Sequence, residues 1–176
     1  MPYTKTRLPE FLPYRLAITS STVSGLIARD YGQIFGLKIP EWRVMAVLGD
    51  AGPLTQRELV RATAMDKVAV NRACKVLEER KLISRSPNAH DGRSHHIALT
   101  REGTEMHAEI WPHATGMSDQ IMECLTAREA AALRAVLDKL LARALSIESQ
   151  SDYPPAPESP APPARGSSAK AATVRA

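Results

Sequence analysis

The sequence predicts a mostly α fold with a small β wing, on three observations. Apolar residues recur at steps of three and four through two long outer stretches, Leu12 to Ile34 and Met106 to Leu145, which is the period of one helix face. Residues that start helices stand where such patterns begin, at Thr55, Asp66, Thr100 and Thr126. Two short segments, Ile83-Ser84-Arg85 and His95-His96-Ile97-Ala98-Leu99, flank the turn-rich run Pro87-Asn88-Ala89-His90-Asp91-Gly92-Arg93-Ser94 and read as a hairpin.

Composition sets the outer bounds. A chain of 176 residues, 44% hydrophobic and 24% charged, holds enough apolar side chains for one domain. From Ser151 to Ala176, six of the 26 residues are proline and much of the rest is alanine, serine or glycine. No core forms from such a segment, so a disordered Pro/Ala/Ser-rich tail is expected over 149–176. No run of about 18 apolar residues occurs, and Lys5, Arg7 and Glu10 among prolines stand where a signal sequence has its apolar centre. The expectation is therefore a cytoplasmic protein with no membrane partner. Two cysteines, Cys74 and Cys124, are too few for a disulfide framework.

In chain order, Leu12, Leu16, Thr19, Val23 and Leu26, continued by Ile27, Tyr31 and Ile34, predict one long helix that begins near Pro13 and stops at Gly36. Pro40 suits the first turn of a second helix carrying Trp42, Met45, Val47 and Leu48, ended by Gly49-Asp50-Ala51-Gly52-Pro53. Thr55-Gln56-Arg57-Glu58 has the form of a capping box, in which hydroxyl and carboxylate satisfy each other's backbone amides. The short helix it opens has Leu59 and Ala62 on its apolar side. After the turn Thr63-Ala64-Met65, Asp66 caps a helix running to about Arg80, with Val70, Ala73, Cys74 and Leu77 as its buried stripe. Beyond the hairpin, Thr100 caps a helix with Met106, Ile110, Met117, Ile121 and Leu125, and Pro112 predicts a kink near His107 to Trp111. Thr126-Ala127-Arg128-Glu129 is a second capping box, before a helix with a broad leucine face from Leu133 to Leu145.

The stretch from Leu54 to Thr100 organises the rest. Opposite its buried stripe, the second of its two short helices carries Lys67, Asn71, Arg72 and Lys75. An amide able to bond adenine, a guanidinium able to bond guanine and ammoniums suited to phosphates are what a major-groove helix requires. Between Thr55 and Arg101 ten basic residues face five acidic ones, a balance of +5 in a chain whose total is +4. Positive charge is therefore concentrated on this stretch, as on a nucleic-acid surface.

These residues resemble a known family. Met65-Asp66-Lys67 through Leu77-Glu78-Glu79-Arg80-Lys81-Leu82-Ile83, then Asp91-Gly92-Arg93-Ser94 and Leu99-Thr100-Arg101-Glu102-Gly103, are similar to the MarR family of winged helix-turn-helix transcription regulators over roughly Leu12 to Ile147. Lys81 departs from it, standing where the family commonly has glycine; a left-handed backbone there costs a lysine about 1 kcal/mol and predicts a locally different turn. The resemblance implies an N-terminal arm at 1–11 and a domain at 12–148, with a DNA-binding winged helix-turn-helix head at about 54–100. It also implies dimerisation through N- and C-terminal helices at about 12–35 and 101–148. These helices are too apolar to pack on so small a head alone, so a homodimer is expected on physical grounds too. The implied partner is double-stranded DNA with an inverted-repeat operator. Thr55, Gln56, Arg57, Lys67, Asn71, Arg72, Lys75, Arg85, Asp91, Arg93 and Ser94 are the candidate contacts, with Arg93 in the minor groove.

Relatives of this kind bind small aromatic or phenolic acids, so an effector site is implied as well. A cationic or hydroxyl-rich spot beside aromatic walls is offered by Arg15, Ser20, Ser24, Trp42, Arg43, His107 and Trp111. Each has a plainer reading, the tryptophans as core and the arginines as ion-pair partners. The function expected is a ligand-responsive repressor, with an activator or a redox- or metal-responsive regulator of the same fold as the alternative. A helical interaction protein without DNA function is the more distant one. His95 and His96 are adjacent on a strand and point apart, and His107 and His113 are six residues apart on a helix, so no metal site is expected. Cys74 and Cys124 read as small hydrophobes. No phosphate loop or nucleophile motif occurs, and neither a cofactor nor catalysis is expected.

Overall fold

The computed structural model describes residues 7–88 and 91–150; for Asn88 and Asp91–Ser94 it describes the course of the chain but not the side chains. After one 3-10 turn at Leu8–Glu10 come α1 (Leu12–Phe35), α2 (Ile39–Ala51), β1 (Leu54–Thr55), α3 (Gln56–Thr63), α4 (Lys67–Glu79), β2 (Ile83–Asn88), β3 (Asp91–Leu99), α5 (Arg101–Met122) and α6 (Ala127–Gln150). The three strands form an antiparallel sheet in the order β1-β3-β2. The hairpin strands run closer to the tip than the turn residues suggested. The two-residue β1, which pairs Leu54 with Ile97, was not anticipated.

The helix boundaries follow from local chemistry. Gly36 closes α1 in the left-handed conformation, φ 64°. Pro40 lies in the first turn of α2, where Glu41 accepts the Lys38 amide at 2.8 Å. Thr55 and Glu58 form the expected box on α3, Asp66 accepts the Ala69 amide at 2.7 Å on α4, and Thr126 and Glu129 repeat the box before α6. α6 extends to Gln150, two residues into the segment expected to be tail. Pro112 does not interrupt α5, and the Thr115 hydroxyl donates to the carbonyls of Trp111 and Pro112 there.

One core lies where α2, α4, the sheet and the first half of α5 meet. It holds Val44, Met45, Leu48, Leu59, Val70, Ala73, Cys74, Leu77, Leu82, Ile83, Ile97 and Ile110. At roughly 1.5–3 kcal/mol per large buried side chain, this cluster is the main stabilising contact. The stripe expected on α4 is the buried one. On α2 it is Val44 rather than Val47 that is fully buried, and Ala62 of α3 faces solvent.

Two joints orient the outer helices. At the first, Lys81 adopts φ 59°, its amide donates to Glu78 O at 2.9 Å, and the Leu82 amide donates to Leu77 O at 2.9 Å. That pair of bonds is the helix-ending motif in which glycine is usual, so the lysine itself takes the left-handed turn and the locally different turn expected of it is not found. The Thr100 hydroxyl then donates to Lys81 O at 2.7 Å and accepts the Gly103 amide at 3.0 Å, while the Thr100 amide donates to Leu82 O at 3.0 Å. A Cβ at Gly103 would collide with the Leu82 carbonyl, so α5 starts at closer range than any other residue permits. At the second joint, Trp42 of α2 packs against Tyr31 of α1, with ring centres 5.4 Å apart, and stacks on His107 of α5 at 5.5 Å. His107 stacks in turn on Trp111 at 5.6 Å, and its Nε2 is buried without a hydrogen-bond partner.

Gly103→Ala should cost about 1–3 kcal/mol, because the methyl meets backbone and not a movable side chain. Lys81→Gly should gain up to about 1 kcal/mol by relieving the left-handed lysine. Urea midpoints of the two variants, moving in opposite directions from the parent, check both.

Burial holds the His107 imidazole below the ordinary value of 6.5. The unfolded chain therefore takes up a proton that the folded chain refuses, and stability falls as the pH drops through about 6.5. Thermal melts from about pH 7.5 to about pH 5 should show a larger acid loss for the parent than for His107→Phe. An identical loss in both would assign the effect to other groups.

Candidate nucleic-acid interface and effector cleft

The reading head is α3, a tight turn and α4. Ala64 makes the turn in the left-handed conformation, φ 51° and ψ 36°, and Leu59 and Val70 lock the two helices by burial. With Val70, Ala73, Cys74 and Leu77 inward, Lys67, Asn71, Arg72 and Lys75 are all exposed on the other side. Gln56, first residue of α3, donates from its Nε2 to Asn71 Oδ1 and joins the helices across their outer surface. Arg57 is exposed beside it. Thr55 is occupied as a cap: its backbone amide and its hydroxyl both donate to Glu58 Oε2 at 2.7 Å, and these two bonds hold the Glu58 carboxyl below the usual carboxylate range.

Several basic residues counted in the head serve the fold. Arg80 donates to Phe35 O at 2.9 Å and Gly36 O at 3.2 Å, closing the C-terminus of α1. Arg85 Nε meets Glu78 Oε2 at 3.1 Å and pins the base of the wing to α4, and Arg101 pairs with Glu105 at 2.9 Å. Lys75 and Glu79 lie 3.9 Å apart with both side chains largely exposed, which adds little. The side chains of Asp91, Arg93 and Ser94 lie outside the described residues.

The effector candidates separate into three groups. Ser24, Trp42 and Arg43 come together in a cleft of about 180 Å³ between α1 and α2, lined also by Ile27, Tyr31, Ile39 and Ala46. His107 and Trp111 do not line it: His107 stacks on Trp42, and Trp111 on His107. Arg15 and Ser20 do not join it within one chain: both are exposed, and Arg15 lies nine residues before Ser24, about 13 Å along the helix. Tyr31 belongs to the cleft and was expected only as part of an apolar side; burial pushes its phenol up to about 12, so it stays protonated. A larger open groove of about 550 Å³ between the start of α2 and α4 has Lys38, Arg72 and Lys75 on its walls.

Other chemistry finds no support among the described residues. No group of three or more His, Cys, Asp or Glu is placed to hold a metal ion. Burial pushes the Cys74 thiol up, away from the reactive thiolate. Cys124 is exposed, not packed as a small hydrophobe. No described helix is long and apolar enough to cross a membrane.

Comparison with known proteins agrees with this arrangement. The family model described as MarR family matches residues 35–94. Over 97 residues, 55% of the chain, the sequence is 32% identical to the HTH-type transcriptional repressor NicR of Pseudomonas putida; the match spans 61% of that protein, under two thirds of its length. A probable transcriptional regulator from Pseudomonas aeruginosa is 30% identical with a TM-score of 0.66, the match covering 76% of this chain and 99% of that one. A MarR/EmrR family transcriptional regulator from Acinetobacter sp. ADP1 is 26% identical with a TM-score of 0.73, over 80% of this chain and 99% of that one. These relatives regulate transcription and are not enzymes. From the capped α3–α4 pair, through the sheet behind it, to the match along nearly the whole of two solved relatives, the conclusion is that the chain belongs to the MarR family of transcriptional regulators.

Proposed function

We propose that the chain is a cytoplasmic, homodimeric DNA-binding repressor that a small aromatic carboxylate or phenol releases from an inverted-repeat operator. The observation that carries the effector half is the cleft: a guanidinium, Arg43, and a hydroxyl, Ser24, stand beside the rings of Tyr31 and Trp42. That is the chemistry that holds a flat acid by its carboxylate and its ring. Further support comes from two regulators sharing the fold, Bordetella bronchiseptica BpsR, whose DNA binding is regulated by 6-hydroxynicotinic acid, and NadR in complex with 4-hydroxyphenylacetate. Their identities of 23% and 21% lend the fold alone, so the acid is a proposal for this chain.

The dimer rests on unburied apolar surface. No residue of α6 is buried, and Leu133, Val136, Leu137, Leu140, Leu141, Leu145 and Ile147 are exposed there. Leu8, Phe11, Leu12, Leu16 and Ile18 are exposed in the 3-10 turn and the first half of α1. A second copy related by a two-fold axis covers both sets and places two α4 helices about 34 Å apart, one turn of DNA. α4 then lies in the major groove, with Asn71 and Arg72 at base edges and Lys67 and Lys75 at phosphates.

Light scattering should return close to twice the chain mass of 19.2 kDa. Leu137→Asp with Leu141→Asp should give a monomer that binds operator about a hundred-fold or more weaker, since linking two heads contributes at least that much. A monomeric parent with full operator affinity would remove the dimer.

For the effector, a hydroxylated benzoate should raise the melting temperature and weaken operator binding together. Moving the protein from 1:99 to 99:1 in favour of release needs about 5.5 kcal/mol of differential affinity, and operator must weaken the acid by the same factor. Arg43→Ala should abolish the response and keep DNA binding, whereas Arg15→Ala should keep both unless the partner copy brings it to the cleft. The cleft assignment fails if Arg43→Ala responds as the parent does.

A further inference from the structure

We propose that the Tyr31 hydroxyl sets the specificity of the cleft between α1 and α2, so that an aromatic acid binds best when its ring carries a hydrogen-bonding substituent besides the carboxylate. The inference rests on the reading that this cleft takes a small aromatic acid with its carboxylate on Arg43. Tyr31 lines the cleft yet is only 1% exposed, with its ring packed on Trp42 at 5.4 Å. Among the described residues its hydroxyl has no hydrogen-bond partner. It is not sealed in either, because His107 Nε2 is the only described side-chain nitrogen or oxygen that is both buried and unpartnered. The sliver of Tyr31 that meets solvent therefore includes the hydroxyl, and the space it opens on is the cleft.

An empty cleft leaves that hydroxyl to water. A ring seated against Trp42 displaces the water, and what the ring carries then decides the outcome. With no polar group in reach, the hydroxyl is left buried and unpaired, at the cost of its desolvation; with one, the lost bond is replaced. A tyrosine hydroxyl both donates and accepts, so a phenol, an ether oxygen or a ring nitrogen would each serve. The selection is for a polar substituent against none, not for one kind of polar group. Burial pushes the phenol up to about 12, so it stays neutral and does not repel the carboxylate of the acid. Ser24 is the other hydroxyl on the wall, but it is only half-buried, so water still serves it beside a bound ring, whereas Tyr31 has no second route to solvent.

The experiment is a calorimetric titration of the full-length parent and of Tyr31→Phe, Ser24→Ala and Arg43→Ala with benzoates that carry either a hydroxyl or a methyl group of similar size, at the ortho, meta and para positions in turn. Without a hydrogen bond the methyl compound binds tighter, because it buries more apolar surface, so the sign of the preference is informative. At one position at least, the parent should favour hydroxyl over methyl by about ten-fold, the effect of one buried hydroxyl left unpaired. Tyr31→Phe keeps the ring and its packing on Trp42. It should reverse the preference at that position while binding the methyl compound at least as tightly as the parent does, and its operator affinity should equal the parent's. Ser24→Ala should keep the parent's preference. A parent that favours methyl at every position, or a Tyr31→Phe protein that keeps the hydroxyl preference, overturns the proposal, and the first of these results needs no variant to fold. If Arg43→Ala binds the acids as the parent does, or no acid binds the parent at millimolar concentration, the cleft reading falls and takes the proposal with it. Loss of binding in Arg43→Ala together with an unchanged preference in Tyr31→Phe removes the role of Tyr31 alone.

Discussion

The hydroxyl of Thr100 holds the two working halves of this protein together. As donor to Lys81 O and acceptor from Gly103 it links the end of α4 to the beginning of α5, and the amide of the same residue fastens Leu82. Leu82 is itself the residue whose amide closes α4. Six backbone groups, the carbonyls of Leu77, Lys81 and Leu82 and the amides of Leu82, Thr100 and Gly103, are satisfied within one knot. A change in the angle of α5 therefore carries α4 with it, because the end of one helix is bonded directly to the start of the other through these groups. The space for this knot exists because residue 103 has no side chain.

The second constraint is aromatic. Trp42 touches Tyr31 and stacks on His107, so one side chain of α2 is shared by α1 and α5. Gly49 of α2 leaves room for the imidazole, where any Cβ would sit within 2.5 Å of Nε2. An aromatic compound near Arg43 thus meets a wall that already belongs to three helices, and it biases their arrangement only through the difference in its contacts with two such arrangements. Flat rings slide against one another at small cost, which makes a stack a better movable contact than an interlocked aliphatic core.

How much of this was legible in the sequence depends on how local each cause is. The buried stripe Val70, Ala73, Cys74 and Leu77 follows from helical spacing, and the caps at Thr55, Asp66, Thr100 and Thr126 follow from residues three positions apart. The exchange of Val47 for Val44 on α2 reflects which side α4 and the sheet approach, and no spacing within α2 encodes that. Charge was legible as a sum but not as a distribution: Arg80 and Arg85 entered the +5 of the head, yet the one closes α1 and the other pairs with Glu78. Of the effector candidates, Ser24, Trp42 and Arg43 converge, while Arg15 and Ser20 fall on turns of α1 that reach no other described element of their own chain closely enough to be buried. Tyr31 looked like packing and turned out to be both packing and wall.

Pro112 gives α5 a mechanical character that the uninterrupted helix conceals. Without an N–H it leaves the carbonyl of Ala108 without its helical donor, and the Thr115 hydroxyl competes for the carbonyls of Trp111 and Pro112. The rod is therefore most compliant one residue beyond the aromatic stack. On one side of that point the rod is riveted to the head through Gly103; on the other, about 15 Å of helix runs on toward α6, clasped to α1 where His113 meets Asp30 at 3.5 Å. A pivot so placed works as a lever with unequal arms.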